Sequence, residues 1–73
     1  METYIIFFDE NQTSRKYLST IYRNSTNETK DIGDAIEFNE KEMALEIAKY
    51  LSKRERQEYK VLCIKTTMEE VEK

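Results

Sequence analysis

Residues 3–8, TYIIFF, decide the fold. The stretch is β-branched and aromatic, too short for a helix, and apolar at every alternation: Tyr4, Ile6 and Phe8 point one way, Ile5 and Phe7 the other. A strand apolar on both faces needs a neighbour on each side and a cover on each face. It therefore reads as the centre of a sheet.

Working outward, DENQTS (9–14) is a polar turn, and RKYLSTIYR (15–23) alternates as the returning arm of a hairpin. Leu18, Thr20 and Tyr22 share one side of that arm, and Tyr17, Ser19 and Ile21 share the other. Residues 24–34 have no periodicity and hold the only glycine, Gly33, so they read as a loop. AIEF (35–38) is compatible with an extended segment or a short strand.

FNEKEMALEIAKYL (38–51) reads as a helix. Asn39 and Glu42 have the spacing of a capping box, and Phe38 and Met43 that of a hydrophobic staple. At 100° per residue, Met43, Ala44, Ile47, Ala48, Tyr50 and Leu51 fall on one side, while Leu45 falls among the charges. YKVLCIK (59–65) alternates again, with Tyr59, Val61 and Cys63 opposite Leu62 and Ile64. TTMEEVEK (66–73) permits a short terminal helix or a frayed tail.

The order strand, strand, helix, strand predicts a single α+β domain over 1–73. Its sheet is ββαβ, three-stranded and mainly antiparallel, in the order second, first, last, with one helix on one face. The more aliphatic face, with Ile5, Phe7, Leu18, Leu62 and Ile64 and Tyr22 at its margin, is expected under the helix. The other face, with Tyr4, Ile6, Phe8, Tyr17, Ile21, Tyr59, Val61 and Cys63, is then a candidate interface for a second copy or a host protein. Ile6, Phe8 and Tyr17 would lie near the centre of a homodimer.

The 73 residues contain no histidine and one cysteine, Cys63. An internal disulfide is excluded, and so are nucleophile–histidine arrangements. One glycine is too few for a phosphate-binding loop. No catalytic, cofactor, metal or small-molecule site is expected. Cys63 reads as a small packed hydrophobe. With 37% charged residues and a net charge of −3, the chain has no general attraction for phosphate or anionic lipid. No basic leader or membrane-length apolar run is seen, and a cytoplasmic location follows as an expectation.

Charge is nonetheless divided along the chain. Residues 28–46 hold seven acids and two lysines; residues 49–65 hold six basic residues and two glutamates. Arg15, Lys16, Lys53, Arg54, Arg56 and Lys60, beside the tyrosines, are the candidate patch for nucleic acid, the second-ranked partner. The acids, Glu28, Asp31, Asp34, Glu37, Glu40, Glu42 and Glu46, would suit a basic protein groove, although loop and helix solubility explains them too. In size, in its Lys/Glu/Asn/Ile-rich make-up and in its order of elements, the chain resembles the small accessory proteins of bacteriophages and prophages, some of which bind and block host defence enzymes. The resemblance implies a protein-binding inhibitor or regulator and assigns no residue.

Overall fold

The computed structural model describes residues 2–10, 14–22 and 25–65. They form β1 (Glu2–Glu10), β2 (Ser14–Ile21), β3 (Thr26–Thr29), a 3₁₀ turn (Ile32–Asp34), α1 (Lys41–Glu55) and β4 (Lys60–Lys65). The sheet is antiparallel throughout, in the order β3-β2-β1-β4. The expected order of second, first and last strands is present within it, and β1 is central. The terminal stretch 66–73, read from sequence as helix or tail, lies outside the described residues.

The sheet has one more strand than the three expected. Thr26–Thr29 pairs with β2, Leu18 opposite Glu28 and Ile21 opposite Thr26, with a register shift between Leu18 and Thr20. TNET shows no apolar alternation because this edge strand contributes no buried side chain. The hydrophobic signal used to find strands is therefore missing. The remaining part of the expected loop is organised by Asp31, whose Oδ1 accepts the Gly33 N–H at 2.9 Å.

Residues 36–38 are extended and enter the sheet. Phe38 N–H donates to the Tyr4 carbonyl and Tyr4 N–H to the Phe38 carbonyl, both at 2.8 Å, and Ile36 N–H donates to the Leu18 carbonyl at 2.9 Å. This segment joins β1 to β2 below the residues where those strands pair directly, Phe7 with Tyr17 through Glu10 with Ser14.

The same anchoring moves the helix start. Glu40, not Asn39, is the N-cap residue, and it makes no side-chain capping bond. Asn39 and Glu42 form no capping box here, because the backbone pairing of Phe38 sets where the chain can turn. Met43 is 50% exposed while Phe38 is buried, so the expected staple is also absent. At the other end Arg56 takes the left-handed conformation, φ 54°, ψ 38°.

The core lies between α1 and the face of the sheet carrying Ile6 and Phe8. Ile6, Phe8, Leu18, Phe38, Ala44, Ala48, Leu51 and Tyr59 form one buried cluster, with Tyr4, Ile36, Ile47 and Val61 packed on it. For β1 and β4 the expected assignment of faces is thus reversed, whereas in β2 Leu18 lies under the helix and Tyr17 on the other face, as expected. Phe38 and Tyr59, the aromatic residues just outside the two ends of α1, decide it. Phe38 lies opposite Tyr4 on one face, and the Tyr59 ring meets Phe8 edge-on at 5.2 Å and 65°. A helix tethered at both ends by residues of one face covers that face.

Candidate functional site

The candidate interface residues divide into three groups. Tyr4, Ile6, Phe8, Tyr59 and Val61 are brought together, as expected, but beneath α1, with Ile6 fully buried. They do not form an open surface. Tyr17 stands opposite Phe7 on the other face of the sheet. Ile21 ends β2 and is 37% exposed. Ile6 and Phe8, expected near the centre of a homodimer, are instead buried within the single chain. Cys63, expected to be packed, is exposed on β4 opposite Tyr4.

The opposite face of β1 is also buried. Ile5 is inaccessible and Phe7 nearly so. Leu62 pairs with Ile5 and Ile64 with Thr3, both half-buried. The Arg15 guanidinium lies 4.1 Å from the Phe7 ring centroid while its Nε donates to Asp9 Oδ1 at 2.9 Å. That bond holds the Asp9 carboxyl below its ordinary range and raises Arg15. On the α1 side, Lys16 Nζ pairs with Glu10 Oε2 at 2.7 Å, which likewise lowers Glu10 and raises Lys16.

These pairings bear on the candidate nucleic-acid patch. Arg15 and Lys16, adjacent in β2, point to opposite faces, and each is held by a carboxylate. Lys60 begins β4, opposite Phe7 and close enough to Asp9 to lower its pKa. Lys53 and Arg54 lie in the last turn of α1, and Arg56 just beyond it. Arg54 approaches Glu55 at 3.7 Å and stacks 5.4 Å from the Tyr50 ring centroid. The six cations do not converge on one surface.

A shallow cleft of about 360 Å³ is lined by Asp9, Gln57, Glu58 and Lys60. Its walls offer two carboxylates, an amide and an ammonium group, but no nucleophile beside a base. Among the described residues, no group of three or more His, Cys, Asp or Glu could hold a metal ion. No helix among them is long and apolar enough to cross a membrane. Tyr59 has its phenol pKa raised by burial, and Tyr4 has its own raised by donating to Glu2 Oε2 at 3.0 Å.

Of the large apolar residues left exposed, Met43 and Tyr50 belong to one stripe on α1, apart from Ile21, Tyr22, Ile32 and Leu45. Met43, Ile47, Tyr50 and Arg54 follow one another at intervals of four, three and four residues, within about 60° of the helix circumference. Met43 and Tyr50 are 50% and 58% exposed, while Ile47 and Arg54 are half-buried. The periodicity placed Met43, Ile47 and Tyr50 on the apolar side of the helix. It did not separate them from Ala44, Ala48 and Leu51, which alone reach full burial in α1.

Comparison with models of known protein families, with curated proteins and with solved structures finds no match to this chain.

Proposed function

We infer that the protein is a non-catalytic interaction module whose primary contact surface is the stripe Met43–Ile47–Tyr50–Arg54 on α1. The observation that carries this reading is the exposure of Met43 and Tyr50 beside a core that Ala44, Ala48 and Leu51 already complete. Methionine, tyrosine and arginine are the residue types enriched at protein interfaces. A tyrosine ring backed by a guanidinium is a rigid anchor that loses little side-chain entropy on binding. A module of this kind suits an inhibitor or regulator of a larger protein, in keeping with the resemblance to phage accessory proteins.

The test uses the full chain, immobilised, with extract of the organism in which the protein acts. A protein retained by the unmodified chain should be lost with Met43→Glu and Tyr50→Glu, while both variants keep their melting temperature within a few degrees. Equal retention by both variants would remove the stripe from the reading. Salt-sensitive binding of a single-stranded oligonucleotide would favour the nucleic-acid alternative instead.

A further inference from the structure

The two edges of the sheet are built differently. β3 is four residues long, TNET, entirely polar, and follows a register shift in its neighbour. Short length, polarity and a bulge are the devices that keep an edge from pairing with other chains. β4 has neither the short length nor the bulge, and its only polar device is a lysine at each end. It is six residues long, KVLCIK, and keeps unbroken register with β1 from Lys60–Phe7 to Lys65–Glu2. Among the described residues, no strand lies beyond it. Its four central residues are apolar, and a lysine stands at each end.

Above this edge lies one flank of α1. Ser52 Oγ accepts the Tyr59 N–H at 3.0 Å, so the Ser52 side of the helix faces the start of β4. Leu45, two turns earlier on the same side, is 46% exposed. It is the residue that the helical pattern left among the charges, and the fold gives it no partner in the buried core.

We propose that the edge of β4 opposite β1, unpaired among the described residues, is a strand-addition site for an extended segment of another protein, with alternating apolar residues and an acid at each end. The inference goes beyond the α1 stripe and rests on the same reading of the chain as an interaction module. The main-chain groups of β4 supply the pairing, and alternate side chains of the segment meet Leu45, Val61 and Cys63. The terminal lysines decide the occupant. A second copy, paired antiparallel over the full strand, would set Lys60 against Lys65 at both ends, and like charges directly opposite destabilise a pair. An acid at each end of the segment reverses that sign.

The test is titration of the isotopically labelled full chain with a blocked synthetic peptide of alternating threonine and valine ended by glutamates. Amide shifts should concentrate in Lys60–Lys65 and around Leu45. The same peptide N-methylated on its pairing edge should leave them unmoved. In the double variant Lys60→Glu, Lys65→Glu, preference should pass to a lysine-ended peptide by about tenfold. Binding of the N-methylated peptide, shifts located elsewhere, or no binding of the glutamate-ended peptide would each overturn the proposal. Concentration-dependent shifts of β4 without peptide would overturn its choice of occupant. Because Met43 and Tyr50 lie on a different flank of α1, these failures leave the test of the stripe independent.

Discussion

Asn39 and Ile6 show how differently single residues carry this fold. Asn39 has the chemistry of a helix cap, yet it sits one position outside the cap, exposed, while Glu40 takes the position with no side-chain bond. Ile6 is wholly buried between β2, β4 and α1. We expect Asn39→Ala to change stability by no more than about 0.5 kcal/mol. Ile6→Ala should cost about 2–5 kcal/mol through lost burial and the cavity left behind. Urea denaturation of both variants measures the difference. A loss of about 1 kcal/mol or more at Asn39 would restore the capping role that the sequence suggests.

At the scale of elements, α1 ends on a strained residue. Arg56 occupies the left-handed region, where glycine is the usual occupant. The chain holds one glycine, at position 33, so the helix stops here without the residue that stops most easily. Arg56→Gly relieves the Cβ clash and gives back part of that gain through the added freedom of the unfolded chain. The expected outcome is a net stabilisation of about 0.5–1 kcal/mol, seen as a higher urea midpoint with an unchanged denaturant slope. A lower midpoint would mean that the Arg56 side chain contributes more than its backbone costs.

For the whole molecule, the short extended segment 36–38 is the joint between sheet and helix. It bonds to β1 at Tyr4 and to β2 at Leu18, and it puts the Phe38 ring into the core. A domain of this size has a small margin of stability, so one such joint matters to all of it. Phe38→Ala should destabilise by about 3–5 kcal/mol. Amide exchange should quicken at Tyr4 and Ile36 as well as in the first turn of α1. Loss of protection confined to the helix would show that the segment does not tie the two layers together.

The sequence by itself determined the α+β class, the strands β1, β2 and β4, the central place of β1, and α1 to within a few residues. Each rests on a local signal: Ile5 to Phe8 are apolar on both alternations, and Ala44, Ala48 and Leu51 recur at helical spacing. Only the tertiary structure decided which face of β1 the helix covers, because Ile6 and Ile5 are equally fit to be buried and both are. That choice came from Phe38 and Tyr59, whose positions in the sheet depend on pairing with residues far away in the chain. It also decided β3, whose TNET is held by backbone bonds to β2 and carries no apolar code. The candidate surfaces follow the same division. Met43 and Tyr50 were legible as an apolar side of the helix, but only packing against the small residues Ala44 and Ala48 left them outside the core. A helical period records which residues share a side; how much of that side the sheet can reach is set by the distance and angle at which the two layers meet.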